Sequence, residues 1–486
     1  MILNHTIMQY FEWYTNGDGN HWNRLKEDAA TLKERGIDAV WIPPVTKADN
    51  NQNPGYSVYD HFDIGEFDQK GSVRTKYGTK DELKAAIKAC HDNDIKVYVD
   101  IVMNHKAGAD ETELFKVVEV DADNRTDVIS EPFDIEGYTK FTFPGRNGKY
   151  SDFIWNYTHF NGTDYDHKTG NTGVYRILGD NKGWNENVDD EKGNFDYLMF
   201  SNIDYKHPDV RNEMIEWGKW LIDELEIDGM RLDAIKHIES YFIRDFIKAM
   251  NEHSNNNFYF VGEFWRADVQ TNESFLIDAE YSLDLFDVAL HYNLKEASEA
   301  GAAYDLRTIF DNTLVKENPL NAVTFVDNHD SQPGESLESF VQDWFKQSAY
   351  ALILLRYDGF PVVFYGDYYG IAGEHPVDGK QMAIDPLLYV RKKKAFGQQD
   401  DYFDHKNVIG WVRRGAKEVE NSGCAVIINS STEDAEKTMF VGKEKQGQVW
   451  LDYTNTRDEE VIIDEEGNGV FKVNPGSVSV YCQKEE

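Results

Sequence analysis

Eight short apolar runs, set between turn residues and alternating with stretches of helical spacing, constrain this chain more than any other feature of its sequence. The runs fall at 7–13, 38–42, 96–102, 229–234, 259–264, 285–290, 322–327 and 362–365, lengths that suit strands. Helical periodicity occupies 23–35, 80–93, 210–225, 241–252, 339–355 and 382–394, with shorter candidates at 272–278 and 306–312. Thr79 and Glu82 stand at the spacing of a capping box and predict where the second helix starts. Eight strands alternating with helices predict an α/β fold, a (β/α)8 TIM barrel, in which functional side chains gather at the C-terminal ends of the strands.

Two regions break the alternation. From Asn104 to Lys206 the chain is rich in Gly, Asn, Asp and aromatics and is too long for a plain loop, which predicts a domain inserted after the third strand. Beyond Phe396 short strand patterns at 408–412, 424–428, 448–450 and 477–481 predict an all-β, Greek-key-like sandwich. The expected units are therefore a barrel of 1–103 and 207–395, an insert of 104–206 and a C-terminal domain of 396–486.

Composition narrows the partners. With 50 Lys and Arg against 87 Asp and Glu the formal charge is −37, which repels nucleic acid and anionic membrane surfaces. An aromatic content of 14% excludes a disordered acidic chain. Cys90, Cys424 and Cys482 are too few for a disulfide framework or a four-thiolate metal site and read as reduced, buried thiols. No basic, then apolar leader opens the chain and no apolar run approaches the length of a membrane span, so the expectation is a soluble monomer, cytoplasmic or secreted with its signal removed.

The chemistry collects in four strand-end segments: DIVMNH at 100–105, GMRLDAIKH at 229–237, FVGEFW at 260–265 and FVDNHD at 325–330. Glycosidic-bond cleavage needs one carboxylate to attack and one carboxylic acid to protonate the leaving oxygen, and Asp233 and Glu263 end adjacent strands. Arg231, two residues before Asp233, shares its face and favours an ionised nucleophile. Glu263, among Gly262, Phe264 and Trp265, is expected to hold a proton as the general acid, and Asp330 adds a third carboxylate for sugar hydroxyls. Trp13, Tyr56, Tyr59 and Trp265 are candidates for stacking on sugar faces. HExxH, GxxxxGK[ST] and GxSxG motifs are absent, which leaves zinc-protease, nucleotide and serine-hydrolase chemistry without a signal.

These four segments resemble the motif regions of glycoside hydrolase family 13, the α-amylase family, and the similarity extends to MQYFEWY at 8–14, AVWIPP at 39–44, GYSVYDHFDIGEFDQKGSVRTKYGT at 55–79 and VFYGDYYGI at 363–371. The liquefying bacterial type is the most similar. The resemblance implies Asp233 as nucleophile, Glu263 as acid/base and Asp330 as transition-state stabiliser, with His105, Arg231, Lys236, His237 and His329 in substrate subsites and Asp100 holding Arg231. It implies retaining hydrolysis of α-1,4-glucosidic bonds in starch, glycogen and maltooligosaccharides, with the insert as the family's domain B and the β end as its domain C. Two alternatives stand beside it: a relative favouring transglycosylation or other α-glucosides, and a non-catalytic glucan-binding protein.

The resembling amylases hold calcium, commonly with sodium, between barrel and domain B. By that likeness Asn104, Asp196, Asn202 and the carbonyl of His237 are metal ligands here, with Asp204 beside them. Asn161, Asn185 and Asn202 stand where those relatives usually have Asp, which removes three negative charges. The expectation is no cofactor for the chemistry and a cation cluster that is absent or reduced to one weak calcium or sodium ion.

Overall fold

The computed structural model describes residues 4–485; residues 1–3 and 486, at the outer ends of the expected first and last units, lie outside it. Eight parallel strands close into a barrel in chain order: Ile7–Gln9, Ala39–Ile42, Lys96–Ile101, Gly229–Leu232, Tyr259–Gly262, Asp284–Phe286, Ala322–Phe325 and Phe360–Phe364. The last pairs back onto the first. Strand alternation splits the apolar side chains into two cores. Met8, Val40, Val97, Met230 and Val363 lie in the outer core with the helices, whereas Ile7, Trp41, Tyr98, Val261 and Phe325 belong to a separate inner cluster. Asp100 and Arg231 stand opposite each other in register on neighbouring strands.

The capping box forms as expected, with Thr79 and Glu82 bonding reciprocally at the head of Lys80–Asp92. The sixth unit departs from expectation. The strand ends at Phe286, and the Asp287 carboxylate accepts the Leu290 backbone N–H at 3.0 Å, starting a helix, Val288–Ala300, that occupies the rest of the apolar run. A continuous apolar run does not distinguish strand from buried helix. Likewise the helix expected over 339–355 is only Lys346–Leu354, and 306–312 holds a single 3-10 turn, Leu306–Thr308.

After the third strand the chain enters a six-stranded antiparallel sheet, in the order His105–Lys106, Ser201–Ile203, Phe160–Tyr165, Thr172–Ile177, Glu111–Val120 and Phe133–Lys140. Its entry and exit strands pair directly, Ser201 with Lys106 and Asn202 with His105. The C-terminal region forms another six-stranded sheet and a two-stranded one, Ala435–Phe440 with Asn468–Val473. Alternation again divides the large sheet: Ile409, Trp411, Val426 and Val480 join the barrel's outer core, and Val408, Val412, Ala425 and Tyr481 face the small sheet. Lys346–Leu354 is buried on every side between barrel and C-terminal sheet, with Trp411 donating its indole N–H to Leu355 O at 3.3 Å. All three cysteines are free and buried, and among the described residues no helix is long and apolar enough to cross a membrane.

Candidate active site

Arg231 organises the C-terminal end of the barrel. Its guanidinium is fully buried, lies 5.0 Å from the Trp41 ring and contacts three carboxylates: Nη1 reaches Asp100 Oδ1 at 2.9 Å and Asp233 Oδ1 at 2.5 Å, and Nη2 lies 3.1 Å from Glu263 Oε2. Asp100 is itself held by Trp41 Nε1 at 3.0 Å and Tyr56 OH at 2.9 Å. Glu263 Oε2 accepts the backbone N–H of Ala234 at 2.9 Å. Ala234 is left-handed, with φ of 50°, a strained turn directly after Asp233 that presents this N–H.

Burial is the largest influence on each acid. It pushes Asp233 up to about 6, with Arg231 pulling the other way and Asp100 adding repulsion. Glu263 is raised by burial and by Asp233 against the opposing pull of Arg231, and Asp330 is raised well above the usual range by burial and by Glu263. The three acids lie close enough to titrate as a set, and Asp233 makes the shortest hydrogen bond to Arg231.

Asp330 is placed from behind. Asn328 Oδ1 accepts the backbone N–H groups of Asp330 at 2.9 Å and Ser331 at 2.8 Å, and Ser331 Oγ donates to Asp327 Oδ1 at 2.7 Å. Asp327 shares the buried ammonium of Lys346 with Asp367, which lies at 2.5 Å. His329 Nε2 is 3.3 Å from Asp330 Oδ2 while Gln9 Nε2 lies 3.0 Å from its Nδ1; burial pushes this imidazole well below its usual value, so the contact is not a charge pair. Burial also pushes His105 down to about 4 and His237 down to about 3, which leaves both neutral hydrogen-bonding groups.

Asp233, Glu263 and Asp330 face a cleft of about 560 Å³ whose walls include Trp13, Tyr56, His105, Lys236, His237 and Trp265. The rings of Trp13, Tyr56 and His329 are nearly parallel, with interplanar angles of 6° and 7° along the series. A wall of parallel rings beside carboxylic acids suits a polyhydroxylated ring with apolar faces.

A sequence model described as "Alpha amylase, catalytic domain" matches residues 14–461. The chain belongs to the α-amylase family. It is 50% identical to a glucan 1,4-alpha-maltohexaosidase of Bacillus sp. (strain 707) over 99% of this chain and 93% of that one. It is 49% identical to an alpha-amylase of Bacillus licheniformis, covering 99% and 94%, and 42% identical to a cytoplasmic alpha-amylase of Escherichia coli (strain K12), covering 100% of both. The crystal structure of an Anoxybacillus alpha-amylase superposes with a TM-score of 0.67 at 18% identity, over 99% of this chain and 98% of that one, a likeness of fold.

Within this glycoside hydrolase, Tyr59 departs from expectation: it is buried in the core, with its hydroxyl on Asp110 Oδ1 at 2.7 Å, and takes no part in the cleft. Glu191, Arg266 and Tyr292 line the cleft without having been singled out from sequence. Glu191 pairs with Lys236 at 2.7 Å, and Tyr292 OH receives the Trp265 indole N–H at 3.1 Å. The first comes from the insert and the last from the unrecognised sixth helix, so neither stands beside a strand end.

The expected metal ligands do lie together, but their donor set does not fit a divalent ion. Both oxygens of Asp196 accept from amides, Asn161 Nδ2 at 2.6 Å and Asn185 N and Nδ2 at 2.8 and 2.9 Å. The Asn104 amide occupies the His237 carbonyl at 3.2 Å, and Asn202 Nδ2 bonds Asn161 Oδ1 at 2.8 Å. Among the described residues no group of three or more His, Cys, Asp or Glu side chains is arranged to hold a metal.

Proposed function

We infer that this chain is an endo-acting α-amylase that hydrolyses α-1,4-glucosidic bonds of starch, glycogen and maltooligosaccharides with retention, and that Asp233, Glu263 and Asp330 do the chemistry. The observation that carries the assignment is one buried guanidinium touching both Asp233 and Glu263, which keeps the two carboxyls near each other, as the separation of about 5 to 5.5 Å needed for retention demands. Asp233 attacks the anomeric carbon while protonated Glu263 gives its proton to the departing glycosidic oxygen. Glu263, now a carboxylate, takes a proton from water, which attacks the anomeric carbon and releases Asp233. Asp330 receives hydrogen bonds from sugar hydroxyls and, by proximity, keeps the proton on Glu263.

Trp13, Tyr56 and Trp265 stack on or flank glucose units, and His105, Lys236 and His237 complete the subsites, the histidines as neutral groups, while the fully buried Arg231 and His329, expected among the subsites, act from behind through Asp233, Glu263 and Asp330. We assign the catalytic unit to 1–103 and 207–395, the insert to 104–206 and the C-terminal unit to 396–486, acting as a monomer on soluble glucan. No step uses a metal; any calcium or sodium ion held near Asn104, Asp196, Asn202 and His237 is structural and weak. Proton NMR of starch or maltoheptaose digests at early time tests the reading. Newly formed reducing ends are expected as the α anomer; initial β product would refute the role of Asp233.

A further inference from the structure

The ground between barrel and insert carries a buried ammonium group where a cation would sit. Lys182 has a side chain only 9% exposed, and its Nζ donates to Thr158 O at 2.5 Å, Phe160 O at 2.9 Å and Asp204 Oδ2 at 2.6 Å. Two backbone carbonyls and a carboxylate converging on one positive atom are a cation site, filled here by the chain itself. Lys206 Nζ reaches Trp184 O at 2.7 Å, next to Asn185. Asp196 and Asp204 are buried carboxylates of this region; the nearly buried Lys182 bonds the second directly, whereas Lys206 is exposed at its edge. A divalent ion approaching Asp204 would meet an ammonium already bonded to it.

The neutral amides complete the arrangement. Asn161 links Asp196 to Gly183 O, at 2.6 and 3.3 Å, and Asn104 links the end of the third strand to His237 O. The Asn161 bonds join three stretches of the insert to one another, around 160, 183 and 196, and Asn104 Nδ2 also reaches Asp196 O at 3.5 Å from the end of the third strand. Asn185 Oδ1 and Asn202 Oδ1 are buried without a donor and, as amide oxygens, bring no negative charge.

We propose that Lys182, with the amides of Asn161, Asn185 and Asn202 and the second ammonium of Lys206, performs internally the tethering for which a bound metal ion would otherwise be required, so that the fold is independent of divalent and sodium ions. A carboxylate set ties segments together through an ion taken from solution, and its stability follows the concentration of that ion. A lysine tether is covalently attached and cannot be chelated.

The test uses the full chain. Melting temperature is measured in sodium buffer, in choline buffer of equal ionic strength, and in each with EDTA or added calcium; metal content after gel filtration is read by plasma mass spectrometry. The expectation is a change of under about 2 degrees across all conditions and metal well below one ion per chain. Lys182→Met is expected to melt about 5 degrees or more below wild type, with Lys182→Arg between the two. The triple variant Asn161→Asp, Asn185→Asp, Asn202→Asp, with Lys182 intact, is expected to acquire a calcium response that the wild type lacks. A wild-type drop of about 10 degrees on chelation or sodium removal, or a stoichiometric metal ion, would overturn the proposal. So would a Lys182→Met variant as stable as wild type, or a triple variant indifferent to calcium.

Discussion

Arg231 shows how one residue sets the protonation of several others. Fully buried, it is tolerable only because Asp100, Asp233 and Glu263 surround it, and three acids around one cation leave more negative groups than positive ones. Protons are therefore retained on the acids that contact it least well. We expect Asp233→Asn, Glu263→Gln and Asp330→Asn each to lower kcat by about three orders of magnitude or more while circular dichroism stays unchanged, since an amide neither attacks nor donates a proton. The pH dependence has a definite sign. In the proposed mechanism Asp233 has to be ionised, and burial raises it to about 6, so kcat/KM is expected to fall as pH drops through about 6. In the same mechanism Glu263 has to be protonated and is also raised, so activity is expected to fall again once it ionises on the alkaline side. An acid limb centred near 4, read from initial rates across pH, would contradict this division. Tyr59 and Lys346 mark the boundary of what single residues disclose. A tyrosine near a strand end is equally suited to a cleft or a core, and a lone lysine within an apolar run has no spacing signal, although its buried ammonium secures the loop of Asp330.

Among the elements, the eight strands were legible because each is short, apolar and bounded by turn residues; the candidate acids Asp233 and Glu263 stand out by following two of them directly, and Asp330 lies further along the loop after a third. The sixth helix was not, because Leu285 to Leu290 is apolar without a period and its only punctuation is Asp287. That residue is wholly buried, and its carboxylate accepts the N–H groups of Leu290 at 3.0 Å and Val315 at 2.8 Å. Asp287→Ala strips a helix cap and leaves two buried donors unpaired, an expected loss of about 2 to 4 kcal/mol. Urea titration followed by tryptophan fluorescence reads it, and an unchanged midpoint would mean the helix starts by other means. Strand pairing inside the insert was illegible for a different reason: its long strands, such as Glu111–Val120, carry mixed polar and apolar faces, and their partners are separated by turns with little sequence signature.

Across the whole molecule, the C-terminal sheet is part of the barrel's packing. Lys346–Leu354 is buried all round because Trp411, Val426 and Val480 cover the side that the barrel leaves open. A chain ending at Ala395 would expose that helix face, and we expect it to aggregate when expressed, as judged by gel filtration; a soluble, active truncation would show that the cover is dispensable. The insert is attached in the opposite manner. It leaves after Asn104 and returns by Ser201–Ile203, and these two short strands pair with each other, Asn202 on His105. The points of departure and return are adjacent, so the barrel closes the same loop whatever lies between them, and the length of the intervening chain adds only a slowly growing closure entropy. Such a stem is the junction of an exchangeable cassette: laboratory recombination or natural drift can replace the excursion wholesale, altering one wall of the cleft while the strand ends that bear the acids keep their register.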